Sequence, residues 1–424
     1  MVLVTMDRAG IVLVRYLIFL QRHNDIYWFE LSGIRISKGG YQKMKKIGII
    51  TYPQIEAGKG RFLQAYALYS AVIEMGYEAE IINYQPEMFY RKRSAGYFLR
   101  RILHDPKLLC QYLAKAKRKR FEVQKAKLLG SSPESYKTFI DKNMHYDTGA
   151  IVSEDALFEI GSKYDALVCG SDQIWNPRYF GMSEVYYLHF VKDEKKIAYA
   201  ASIGTLQLQQ NEIDFLADHI RKIKYPSVRE VSAQKFLRNT CGINVDAVCD
   251  PTFLLPRAWW NSLSKSFDSN EYILVFLFDD NEEPRKFAKR LASLYGLRIV
   301  TIVERKKDLK SKGKKVVDAN PPEFIGYFRN AKYVITQSFH GTVLSLIYNK
   351  EFFVFDRQCD KEDLMLRIED LLDIYNLKNR MMTTHKEDIA KKIDYTAVNK
   401  IMEAQRKNGL CFLKKALFEA TEST

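Results

Sequence analysis

Residues 331–356, AKYVITQSFHGTVLSLIYNKEFFVFD, decide the fold. The apolar run at 333–336 predicts a short buried strand, and Gln337, Ser338 and Phe339 a tight loop. His340-Gly341 then opens a helix through Thr342 to Tyr348, which Asn349-Lys350 stops, and 352–355 is a second all-apolar strand. Two buried strands joined by a helix form the unit of a parallel sheet, because parallel neighbours need a crossover. Ligands of such sheets bind outside the carboxyl ends of the strands, where helix starts attract anions. His340 sits at that edge, and histidine is the side chain that gives up a proton near neutral pH. A proton donor beside an anion site points to chemistry.

The same alternation runs both ways from this unit. Residues 45–52 (KKIGIITY) read as a first strand, 53–60 as a loop ending Gly58-Lys59-Gly60, 61–75 as a helix and 79–84 as a second strand. Neither GxGxxG nor a Walker A motif is present. A helix is expected at 135–144 and a strand at 166–169, running into Gly170-Ser171-Asp172-Gln173-Ile174-Trp175-Asn176. Trp175 beside Asn176 suits a sugar face; the alternative is a helix cap with a core tryptophan. Further strands are expected at 196–202, 225–230 and 246–251, with a helix at 232–239. Arg229 ends one of these strands. It pairs either structurally, with Glu230 or Asp250, or with a ligand carboxylate or phosphate that suits its planar fork.

A second alternation starts at 272–278 (YILVFLF) and continues through a helix at 284–295, strands at 297–303 and 315–318, and a helix at 323–329 behind Pro321-Pro322. Two such series predict two doubly wound α/β domains facing each other across a cleft. The expected divisions are a leader at 1–43, a first domain at 44–265 with a basic helical insertion at 88–145, a second domain at 266–385, and C-terminal helices at 386–424. Within that tail, 393–417 reads as two amphipathic helices.

The 424 residues, 47% hydrophobic and 28% charged, have the composition of a soluble globular protein with room for two cores. Six scattered cysteines without a CxxC pair read as reduced thiols of a cytoplasmic protein and argue against a structural zinc site. Of the net charge of +15, residues 1–43 supply +3, from six basic and three acidic side chains. Basic residues then cluster from Arg91 to Lys127, threaded by Phe89, Tyr97, Phe98, Leu108, Tyr112 and Phe121. Such amphipathic helices suit peripheral contact with an anionic membrane or a lipid-linked substrate. The plainer reading is a solvated insertion whose apolar face packs on its own domain. No nucleic-acid module appears.

Residues 11–20 are apolar, but shorter than the ~18–20 residues a bilayer span needs, and no small-residue cleavage site follows them. Residues 1–43 show no clear element, whereas a regular pattern begins at Met44. Lys38-Gly39-Gly40 is compatible with the codons AAAGGAGG, a bacterial ribosome-binding sequence, placed just before Met44. The leader is therefore expected to be a mis-annotated extension.

Six motifs in order carry a resemblance. They are KIGIITY…LQAYAL within 46–68, GSDQIWN at 170–176, KIAYAASIG at 196–204, SVRE at 227–230, DPTFLL at 250–255 and SFHGTVLSLIYNK at 338–350. From about Lys45 to the tail the chain resembles the polysaccharide pyruvyl transferase family. The resemblance implies two Rossmann-like domains in a GT-B-like arrangement. It also implies transfer of pyruvate from phosphoenolpyruvate onto two hydroxyls of a sugar in a cell-surface or capsular polysaccharide precursor, forming a cyclic ketal. Phosphoenolpyruvate is then a co-substrate, and no cofactor or metal is expected. His340 matches the family's proposed general acid, and Arg229 an arginine thought to hold phosphoenolpyruvate. With them, Ser338, Gly341 and Thr342 are the candidate donor-binding residues. Asp172, Gln173, Asn176, Lys59 and Gln64 are the candidates for the acceptor, a sugar or lipid-linked oligosaccharide, with Asp172 a candidate base. The chain departs from the pattern at Ser338, where better-described members carry arginine, and at Ala57 to Gly60, where many have Asn-Tyr-Gly. The alternatives are a GT-B-like glycosyltransferase using a nucleotide sugar and a non-catalytic protein that binds glycans or a membrane surface.

Overall fold

A computed structural model describes residues 2–6, 12–22, 25–31, 34–37, 40–52, 59–85, 134–147, 151, 153–267, 271–317, 319–357, 365–382 and 391–422. The basic segment from Arg91 to Lys127 lies outside the described residues. Residues 1–43 were expected to lack regular structure. They instead hold five strands, β1 (Val2–Met6), β2 (Val12–Arg22), β3 (Asp25–Leu31), β4 (Ile34–Ser37) and β5 (Gly40–Lys43). These pair antiparallel with one another and share no ladder with the sheets below among the described residues. Stretches rich in aromatic and β-branched residues, such as YLIFL at 16–20, favour strands.

The first parallel sheet is built from β6 (Lys46–Ile50), β7 (Glu78–Ile81), β8 (Ala166–Cys169), β9 (Lys196–Ala201), β10 (Tyr225–Val228) and β11 (Asp246–Ala247), in the order β11-β10-β9-β8-β6-β7. The second is built from β12 (Tyr272–Phe276), β13 (Arg298–Ile302), β14 (Lys314–Val316), β15 (Tyr333–Thr336) and β16 (Glu351–Val354), in the order β14-β13-β12-β15-β16. Every pairing within both sheets is parallel. Strands β8, β12 and β15 are buried along their whole length, as apolar runs covered on both faces must be. This is the expected pair of Rossmann-like α/β domains.

The strand orders decide where a ligand site can form. In each sheet the winding direction reverses once, between β6 and β8 in the first and between β12 and β15 in the second. A crevice opens outside the carboxyl ends at such a reversal, because the flanking connections leave to opposite faces. The described loop residues there are 51–52 and 170–172 in one domain and 277–281 and 337–338 in the other. Helix α1 (Lys59–Glu74) of the first domain packs against α2 (Pro321–Asn330) and α3 (Phe339–Ile347) of the second. The seam is apolar: Phe62, Leu63 and Tyr66 of α1 share one buried cluster with Phe324, Phe328, Val343 and Leu344 of α2 and α3. The GT-B-like arrangement is thus a closely packed pair with the two crevices brought together.

Two expectations are corrected. The sixth strand ends at Ala247, not at residue 251, since Asp250 leaves the sheet to cap the turn Pro251–Phe253, its side chain accepting from Thr252 N. The tail is one 28-residue helix, α5 (Tyr395–Glu422), rather than two, with α4 (Leu366–Ile374) before it. Gly409 does not interrupt α5. It lies inside the helix against the first sheet, where an added Cβ would come within 2.4 Å of the Tyr199 hydroxyl. Glycine is there for close approach, not for a turn.

Candidate active site

Strand β15 ends at Thr336, whose hydroxyl accepts the Ser338 amide at 3.0 Å. Ser338 is the N-cap of α3, its Oγ accepting from Gly341 N at 3.2 Å. The Thr342 hydroxyl and amide both donate to the Ser338 carbonyl. These contacts correct one expectation. The Gly341 and Thr342 amides are used by the helix's own cap, so the donor grip expected there has no free N–H at those positions. What α3 delivers is the pair Phe339 and His340, both buried.

His340 Nε2 lies 3.6 Å from Asp250 Oδ2, an ion-pair distance too long for a hydrogen bond, and it has no hydrogen-bond partner. The other side of the ring is set by Gly60 in α1, where an added Cβ would stand 2.4 Å from Nδ1. The imidazole is therefore placed by elements of both domains.

Arg229 follows β10 and is 6% exposed. Its Nε donates to Glu230 Oε1 at 3.0 Å and its Nη1 to Asp250 Oδ2 at 2.8 Å, while Nη2 is buried without a partner. Both structural pairings considered from sequence are made, yet one edge of the fork remains open. Burial presses the guanidinium to lose its charge, but Glu230, Asp250 and Asp172 outweigh that and hold its pKa above the ordinary value. Burial likewise raises Asp250, but His340, Arg229 and Thr252 together hold its carboxyl well below the usual range.

Asp172 follows β8 with a left-handed backbone, φ 69°. Aspartate tolerates that region at a modest cost, and such strain collects at functional sites. Its carboxylate lies 3.8 Å from Arg61 Nε and 3.7 Å from Arg367 Nη1. Burial raises its pKa, but Arg229, His340, Arg61 and Arg367 bring it below the ordinary value. The structure thus gathers His340, Arg229 and Asp172 and adds Asp250, Glu230, Arg61 and Arg367.

The other expected residues divide. Gln173 and Asn176 bond each other, Nδ2 to Oε1 at 2.9 Å, and Asn176 caps a short helix by accepting from Arg178 N at 3.0 Å. Trp175 is a core side chain, 1% exposed, stacked on Tyr187 and donating to the Tyr186 carbonyl at 3.1 Å. The sugar face expected of Trp175 and Asn176 is corrected to the cap-and-core alternative. Gln64 is fully buried, donating to Thr51 Oγ1 and the Arg61 carbonyl at 3.0 Å each. Lys59 begins α1, and its side chain lies outside the described residues.

A pocket opens beside this cluster, walled by Arg229, Asp250, Phe339, Arg367, Asp370 and Tyr375 among others. His340 is not in its lining, though its Nε2 lies 3.6 Å from Asp250, which is. Among the described residues no group of His, Cys, Asp and Glu could hold a metal, and no helix is long and apolar enough to cross a membrane.

A family described as polysaccharide pyruvyl transferase matches residues 59–358. No curated protein matches the chain. Among solved structures, the UDP-GlcNAc 2-epimerase of Methanocaldococcus jannaschii aligns at 13% identity and TM-score 0.45, over 84% of this chain and 92% of its own. The UDP-N-acetylglucosamine 2-epimerase of Rickettsia bellii aligns at 10% and 0.46, over 90% and 96%. A spinosyn rhamnosyltransferase aligns at 10% and 0.43, over 87% and 99%.

Proposed function

Because this chain belongs to the polysaccharide pyruvyl transferase family, we propose that it moves pyruvate from phosphoenolpyruvate onto two hydroxyls of one sugar, closing a cyclic ketal in a polysaccharide precursor. The observation that supports this most is two buried nitrogens without a hydrogen bond, His340 Nε2, which lies 3.6 Å from Asp250, and Arg229 Nη2, whose neighbour Nη1 donates to the same carboxylate. Buried N–H groups without acceptors are costly, and an oxyanion or a reacting carbon nearby would use them.

In this reading Arg229 binds an oxyanion of the donor, and protonated His340, steadied by Asp250, delivers its proton to the methylene carbon. C2 then carries positive charge, and one sugar hydroxyl adds to it. Phosphate departs with the C2–O bond pair, and the second hydroxyl closes the ketal. Of the two hydroxyl protons, one restores the imidazolium and the other leaves with phosphate. Asp172, ionised and beside Arg61, is placed to orient or deprotonate an acceptor hydroxyl. No cofactor is needed beyond the co-substrate. A sugar on a lipid carrier would set the reaction at the cytoplasmic face of a membrane, a setting the basic 91–127 sequence suits.

The test is incubation of the full chain with phosphoenolpyruvate and a panel of nitrophenyl and lipid-linked sugars. Phosphate release in step with ketal formation is expected. Consumption of a nucleotide sugar instead would replace the proposal with glycosyl transfer, and liposome binding without turnover would replace it with a binding protein. A second expectation concerns Gly60→Ala. Its Cβ collides with the His340 ring along Cβ, Cγ and Nδ1, so kcat should fall about 10–100-fold, as misplacement of a reacting group by ~1 Å does. Overpacking of this kind costs ~1–3 kcal/mol, so the melting temperature should fall modestly with the fold kept. Unchanged kcat would show that the imidazole is not positioned this way.

A further inference from the structure

We infer that Arg367, on α4, is a second donor-binding residue that takes one oxyanion jointly with Arg229; this rests on the reading of the site just given. Arg367 is 8% exposed, and its Nε is buried without a partner, as is Arg229 Nη2. Both guanidiniums lie against the Phe339 ring, at 4.1 Å for Arg229 and 5.9 Å for Arg367, and both line the same pocket. An aromatic surface beneath two guanidiniums holds them together where their charges repel.

The nearby carboxylates are engaged in part, with Glu230 Oε2 left buried without a partner. Asp250 serves Arg229 and Thr252, Glu230 Oε1 serves Arg229, and Asp370 accepts the Ser232 amide at 2.8 Å. Asp172 meets Arg367 at 3.7 Å but is shared with Arg61. None of these carboxylates meets Arg229 Nη2 or Arg367 Nε, which both stay without a hydrogen bond. Burial and the adjacent Arg229 push the Arg367 guanidinium down to about 10. Arginine does not release its proton at neutral pH, so a bound anion relieves that pressure. Two unpartnered N–H groups on residues lining one pocket fit a carboxylate or a phosphate, the two oxyanions that phosphoenolpyruvate carries. Asp370 and Tyr375 bound the same pocket, which limits it to a small anion.

The experiment measures binding of phosphoenolpyruvate, inorganic phosphate and pyruvate to the full chain by calorimetry, and kcat and KM with phosphoenolpyruvate varied, for the wild type, Arg367→Lys and Arg367→Gln. Arg367→Gln should weaken phosphoenolpyruvate binding and raise its KM at least 10-fold, with a smaller loss in kcat and an unchanged acceptor KM. Arg367→Lys, which keeps the charge without the fork, should fall between. Loss of phosphate binding in Arg367→Gln assigns the pair to the phosphoryl group, and loss of pyruvate binding assigns it to the carboxylate. A folded Arg367→Gln with wild-type affinity overturns the inference and leaves the family chemistry standing. If Arg367→Gln does not fold, a wild-type affinity and KM in Arg367→Lys overturns it equally. A wild type that binds none of the three ligands overturns the proposed function itself.

Discussion

His340→Ala is expected to lower kcat by roughly 100- to 10,000-fold, the usual worth of a positioned general acid, while the protein stays folded. The second half of that expectation follows from contacts. His340 Nε2 makes no hydrogen bond, and the ring leans on Phe339 edge to face at 5.3 Å and on Gly60. Asp250 keeps Arg229 and Thr252 when the imidazole is removed. Phosphate release should vanish with ketal formation, since the alkene of phosphoenolpyruvate becomes electrophilic only on protonation. Near-normal turnover in a folded variant would remove His340 from the chemistry.

Arg229→Gln should be the most damaging change to stability as well as to activity. Two buried carboxylates, Glu230 and Asp250, lose their shared cation, and breaking such a buried pair costs roughly 3–5 kcal/mol. The pH dependence should change with it. Asp250 has a folded pKa below its unfolded value of about 3.9. Its contribution is therefore complete above that value and is lost as pH falls through the folded pKa, so the parent should keep it down to about pH 4. Without Arg229 the folded pKa rises, and the loss moves to higher pH. Urea melts at pH 7 and at pH 4.5 would read both effects. A variant with the parent's midpoint at both pH values would mean the Glu230–Arg229–Asp250 chain does not hold the domain together.

Much of the frame was readable locally. The 333–336 and 166–169 strands fall where apolar runs placed them, because a strand buried on both faces leaves no polar position. Arg229 was readable for a similar reason, as a charged residue closing an apolar strand. The misreadings share a cause. Trp175 and Asn176 carry side chains that suit a sugar or a core equally, and only the depth of the loop chose the core. Gly341 and Thr342 sit at a helix start, but whether its amides are free depends on the rotamer of Ser338.

Arg367 shows the limit most clearly. In sequence it is an ordinary basic position on the amphipathic helix Leu366–Ile374, with nothing near it to mark a ligand. Its place beside Arg229, Asp172 and Phe339 arises because α4 returns across the carboxyl edge of the other domain's sheet. By itself the sequence determined the two α/β series and the histidine that ends one of them, since periodicity and turn chemistry are local. The tertiary structure alone decided which charges share a low-dielectric pocket and which of them lack a partner. Those depend on contacts between distant residues, such as Asp172 with Arg61 and Arg367, which no local pattern encodes.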